Sequence, residues 1–275
     1  MRIVVLCPSL YSETSCALAI RLAKLGYIPV GALAFPALHP ATLLRKLGQW
    51  GMRDAASYAL AKLLPRKSNQ RTVPRNPYLE PLLRSGSGVF HNLRDIGAAY
   101  GFPIVTCRNH NAATSVAQMR KWLPDLIIFT GGNILRKQVL EVPRLGVLNV
   151  HLALLPEIRG MSSPEWSLLN NVPVGITLHY MDAGIDTGPV LQRFPFPGTA
   201  PCESLEDLRN QLIAFGIDKV GEAVHALEHD AIAASPQSAL DQDNQFFVMH
   251  EWLRERATER LKNRRFTVVS GRSDE

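Results

Sequence analysis

The chain has 275 residues, 46% apolar and 20% charged, which excludes wholesale disorder and allows one sizeable α/β domain with an appendage or two small domains. A formal net charge of +6 permits an acidic or phosphorylated partner. The four scattered cysteines, Cys7, Cys16, Cys107 and Cys202, show no CxxC spacing, so neither a disulfide framework nor a metal site is indicated. In chain order, Arg2 to Cys7 reads as a buried first strand, because hydroxyl and acidic residues interrupt the apolar start before it resembles a signal peptide. ETSCALAIRLAKLG has apolar residues at helical spacing, with the Ser and Thr residues from Ser9 to Ser15 as caps at its start and Gly26 where a helix would stop. The uncharged stretch from Gly26 to Leu44 approaches the length of a membrane span, but Pro29, Pro36 and Pro40 divide it, so a second strand and a Pro-rich loop are expected there.

Residues 37–88 read as a helical, basic insertion ending in the flexible turn LLRSGSGVFHN. Its run KLLPRKSNQRTVPR, Lys62 to Arg75, carries no acid, and with LRERATERLKNRRF near the end of the chain it reads as a solvated face. The strand–helix rhythm then resumes with FPIVTC, ATSVAQMRKWL, PDLIIFTGG, ILRKQVLEV and GVLNVHLAL. After a loop and the helix EWSLLNN, the runs GITLHYMD and PVLQRFPFP flank AGIDTG as two adjoining strands, and Glu203 to Glu228 reads as a long amphipathic helix. Such an order predicts a Rossmann-like α/β fold: an open, mostly parallel sheet with helices on both faces, the basic insertion, and a C-terminal helical extension.

Chemistry concentrates after the strand GVLNVHLAL. Side chains alternate along a strand, so Asn149 and His151 share one face while Leu148, Val150 and Leu152 share the other. Taken alone, a histidine in a strand is more often a hydrogen-bonded core group, and Asp186 in AGIDTG could merely cap a turn, with Asp182 as its competitor for a catalytic role. The combination of NxH, then LLPxxRG, then DxGxDTG about thirty residues on resembles the folate-dependent formyltransferases. The likeness is close over residues 124–192 and looser over the opening strand–helix–strand unit.

That resemblance implies 10-formyltetrahydrofolate as formyl donor and Asn149, His151 and Asp186 as the catalytic trio, choosing Asp186 over Asp182. It implies that Asn133, Ile134 and Leu135, with the loop bearing Asp182, Gly184 and Ile185, hold the folate, and that Arg159 and Gly160 shape the amine-acceptor site. The chemistry is consistent: formyl transfer needs a donor to the developing oxyanion and a group that removes the amine proton. The expected organisation is a catalytic domain over residues 1–200, with the insertion at 37–88, and an extension over 201–275. The expected acceptor is the primary amine of a small metabolite, such as a nucleotide-linked amino sugar, with glycinamide ribonucleotide and methionyl-tRNA as alternatives. A tRNA partner is disfavoured because the remainder after the catalytic motifs is helical in pattern, unlike the basic β-barrel of the methionyl-tRNA enzymes. A cytoplasmic location without a membrane partner is expected, a homodimer is allowed, and the competing reading is a non-catalytic binding module on the same fold.

Overall fold

The computed structural model describes residues 1–36, 76–85, 88–198, 202–237 and 244–263. Most of the insertion, including the Lys62 to Arg75 run, lies outside them. Two compact units, Met1–Leu145 and Gly146–Glu275, are taken in turn.

In the first unit, β1 (Ile3–Cys7) is buried along its whole length, as a strand covered on both faces must be. Helix α1 (Glu13–Lys24) follows; Ser12 caps it by accepting the Ser15 N–H, Glu13 lies in its first turn and Arg21 and Lys24 in its last. Strand β2 (Gly31–Ala34) is shorter than the apolar run that suggested it, since Pro29 has no N–H to give a ladder and Val30 donates instead to the Ile3 carbonyl before pairing begins. After the short helical turn Glu80–Leu83 come α2 (Leu93–Tyr100), β3 (Ile104–Thr106), α3 (Ala113–Trp122), β4 (Leu126–Phe129) and α4 (Lys137–Leu140). Strand β1 pairs in parallel with β2 and β4, and β2 with β3, which gives the order β4-β1-β2-β3. This crossover arrangement is the Rossmann-like α/β fold with a mostly parallel open sheet.

The second unit contains β5 (Gly146–His151), β6 (Arg159–Gly160), α5 (Ser163–Leu169), β7 (Gly175–Tyr180), β8 (Val190–Pro195), α6 (Leu205–Glu228), β9 (Gln245–Phe246) and α7 (Glu251–Asn263). Here the ladders are antiparallel, β5 with β7 and β7 with β8. Helix α6 begins at Ser204, whose hydroxyl accepts the Asp207 N–H, and lays Leu205, Leu208 and Leu212 against Val174 and Ile176 of the β7 region. Met249, Ala257 and Leu261 complete that core, so part of the aromatic run QFFVMHEWL is built into the unit. Among the described residues no helix is long and apolar enough to cross a membrane.

Candidate active site

Pairing of β5 with β7 sets Asn149 opposite His179 and His151 opposite Thr177. Thr177 serves the turn that follows β5: its hydroxyl donates to the Ala153 carbonyl at 2.8 Å and accepts the Leu155 N–H at 3.0 Å. Asp186 arrives from the loop between β7 and β8 in the left-handed region, at φ 54, a conformation that Asp tolerates better than most non-glycine residues.

The three groups named from the NxH and DxGxDTG motifs meet. His151 Nδ1 lies 3.3 Å from Asp186 Oδ2, and its Nε2 donates to the Ile158 carbonyl at 2.8 Å. With that proton on Nε2, a neutral ring turns the Nδ1 lone pair toward a carboxylate, so Nδ1 and Asp186 form a place where one further proton is held. Burial is the largest influence on His151 and pulls its pKa below the ordinary 6.5; Asp186 opposes the fall, His179 adds to it, and the Ile158 carbonyl opposes it. Burial works to raise the Asp186 pKa as well, but the adjoining His179 ring, the charge of His151 and the Gly160 N–H outweigh it and hold the carboxyl below its ordinary 3.8.

His179 is a member of this cluster that the motifs did not name. Its Nδ1 donates to the Tyr180 carbonyl at 3.0 Å, which leaves Nε2 as an acceptor in the neutral ring, and Asn149 Nδ2 donates to it at 3.1 Å. His179 Nε2 also lies 3.5 Å from Asp186 Oδ1, so a protonated ring would form an ion pair with that carboxylate. One Asn149 N–H is used by the His179 contact, and Asn149 itself is half-buried. The signal for His179 was present in the sequence as the polar alternation of Thr177 and His179 in GITLHY, but its partner lies thirty positions away and only pairing reveals it.

Gly160 donates its N–H to Asp186 Oδ2 at 2.9 Å, which joins the RG loop to the same carboxylate. At φ +95 this glycine has no room for a side chain, since a Cβ would lie 2.1 Å from the Phe246 carbonyl oxygen of β9. Arg159 beside it is half-buried, and its Nε makes no hydrogen bond among the described residues. Asp182 does different work from Asp186: its Oδ1 accepts the Gly184 N–H at 3.0 Å and the Thr187 hydroxyl at 2.6 Å, bracing the loop. Ile185 in the same loop is 49% exposed. In the first unit, Asn133 Oδ1 accepts the His110 N–H, Leu135 is buried, and Ile134 is 85% exposed. Glu165, at the start of α5, is buried against Arg209 of α6 through two contacts of 2.8 and 2.7 Å, a structural ion pair. No group of three or more metal-ligating side chains occurs among the described residues.

A family model described as formyl transferase matches residues 92–224. A methionyl-tRNA formyltransferase of Geobacter metallireducens (strain ATCC 53774 / DSM 7210 / GS-15) is 32% identical over 189 residues, 68% of this chain and 60% of that protein. The chain spans about half the length of the curated relatives it matches. Among solved structures, glycinamide ribonucleotide transformylase 1 from Symbiobacterium toebii superposes with a TM-score of 0.54 at 15% identity, covering 86% of this chain and 95% of that one. A sugar N-formyltransferase from Shewanella sp FDAARGOS_354 gives 0.51 at 13% identity, covering 95% and 87%. At such identities these two likenesses concern the fold alone.

The relatives overturn one expectation. A tRNA partner was disfavoured, with a small-molecule amine in its place, on the pattern of the residues after the catalytic motifs; yet the chain's curated relatives carry the name methionyl-tRNA formyltransferase. The inference failed because an appended domain concerns how an acceptor is gripped, whereas the amine reacts in the catalytic unit, and it is there that the similarity lies.

Proposed function

We propose, from the match of residues 92–224 to the formyl transferase model, that the chain transfers a formyl group from 10-formyltetrahydrofolate to a primary amine, with the aminoacyl amine of methionyl-tRNA as first acceptor. The observation that carries the chemistry is that the His151 and His179 rings lie 3.3 and 3.5 Å from the two oxygens of the Asp186 carboxylate, with Asn149 bonded to His179. The acceptor rests on the names of the relatives.

When bound, the folate supplies the formyl group. In the first unit, Ile134 exposes a large apolar side chain and Gly131 and Gly132, at φ 125 and 139, open the backbone in a way only glycine does readily, which suits a flat ring system. His151 Nδ1, backed by the Asp186 carboxylate, receives the proton that the attacking amine loses and returns it to the folate nitrogen as its bond to the formyl carbon breaks. Asn149 offers its second amide N–H to negative charge developing on the formyl oxygen, and its hold on His179 means little reorganisation is required at that moment. Asp186 opposes the effect of burial on His151 and so keeps the ring basic enough to serve. Arg159, half-buried next to Gly160, brings a positive charge suited to an anionic group of the acceptor, and Gly160 holds Asp186 in line.

Release of tetrahydrofolate, measured with methionyl-tRNA, glycinamide ribonucleotide and a nucleotide-linked amino sugar offered in turn, tests both parts. Turnover with methionyl-tRNA is expected, and its loss in His151→Ala. Turnover with another amine alone would replace the acceptor while leaving formyl transfer standing; turnover with none would remove the function.

A further inference from the structure

Gln237 is a side chain that neither the motifs nor the trio involves. Its Nε2 donates to the Asp186 carbonyl at 2.9 Å and to the Gly188 carbonyl at 2.8 Å, across fifty-one and forty-nine positions of sequence. Only the nitrogen end of the amide, with two N–H groups, can meet two carbonyls at once, so the orientation is determined by the chemistry. Its Oε1 is buried and makes no hydrogen bond among the described residues, so both bonds that the side chain forms go to the Asp186 loop. Two residues earlier the segment is tied down: Ser235 and Val190 exchange both backbone hydrogen bonds at 2.8 Å.

Asp186 is thus held from two sides. Gly160 and the His151 and His179 rings face its carboxylate, while Gln237 grips its peptide and the one two residues on. Asp tolerates φ 54 without favouring it, so the partners that hold its peptide fix that conformation. The alternatives to that conformation swing the carboxylate as well as the carbonyl.

We propose that Gln237 is a positioning residue for Asp186, keeping the carboxylate against His151 by clamping the backbone on either side of Thr187. The segment carrying it is thereby part of the active-site apparatus. The inference deepens the formyl-transfer reading and rests on it for its functional meaning, though not for its test.

The test uses the full chain with ¹⁵N-labelled histidine and follows the His151 ring through a pH titration, in Gln237→Met, which keeps length without donors, and in Gln237→Ala. The groups facing His151 are Asp186 from the β7–β8 loop, His179 from β7 and the Ile158 carbonyl before β6. Asp186 raises the His151 pKa, so its displacement lowers the midpoint, by about half a unit or more. Turnover is expected to fall roughly tenfold or more with the folate KM little changed, as misplacement of a reacting group produces. The titration needs neither folate nor amine, so it decides the role of Gln237 even if the parent protein transfers no formyl group. An unshifted His151 midpoint in both folded variants overturns the proposal, whatever happens to their Tm. Unfolding of both would assign Gln237 to stability alone and overturn it equally.

Discussion

Asn149 and His179 are cross-strand partners, and the 3.1 Å contact from the Asn149 amide to His179 Nε2 orients the amide before any ligand arrives. An amide left to rotate would present its oxygen as readily as its nitrogen to an oxyanion. His179→Ala is expected to lower turnover by roughly five- to tenfold, the worth of one hydrogen bond of about 1 kcal/mol, with folate affinity unchanged. Asn149→Ala is expected to cost about 10²–10³-fold. Steady-state kinetics checks the order; a larger loss in His179→Ala than in Asn149→Ala would make the histidine the reacting group.

The two loop aspartates separate cleanly by partner. Asp186→Asn keeps shape but removes the charge that supports His151, and turnover is expected to fall by about 10² or more. Asp182→Asn retains an acceptor oxygen for Gly184 and Thr187, so a change within roughly threefold is expected, since no more than one hydrogen bond of about 0.5–1 kcal/mol is at stake. Parallel kinetics on the two variants distinguishes them, and equal losses would reassign the loop.

Gly160→Ala forces a Cβ onto the Phe246 carbonyl and a side chain into the left-handed region. The expected outcome is a destabilisation of about 1–3 kcal/mol in urea unfolding. Turnover should fall further than stability explains, because the Gly160 N–H that holds Asp186 moves with the strand. Full activity in the folded variant would detach β6 from the site.

The pH dependence of stability follows from His151. Its folded pKa lies below the ordinary 6.5, so between those values the unfolded chain binds more protons and stability rises with pH. This contribution is present above about pH 6.5 and is lost as pH falls through the lower, folded value. Asp186 acts in the same direction at lower pH, its contribution present above its ordinary 3.8 and lost as pH falls through its depressed folded value. Urea unfolding of the parent and of His151→Gln across pH 5 to 7.5 should show a shallower slope in the variant below about pH 6.5. Identical slopes would mean that His151 titrates alike in both states.

What the sequence by itself determined was local. Alternation placed Asn149 and His151 on one face of a strand, the order of elements gave the α/β class, and the NxH, LLPxxRG and DxGxDTG motifs carried the resemblance that implied formyl transfer. Each of these depends on neighbours along the chain, where strand and helix periods make geometry predictable. The tertiary structure decided the rest. It set His179 opposite Asn149 through strand register, brought β9 against β6 so that position 160 has no room for a side chain, and carried Gln237 to the Asp186 carbonyl. Those contacts join residues 30 to 86 positions apart, and no local period specifies them, because they arise from which strands pair and from how the chain after α6 returns to the unit.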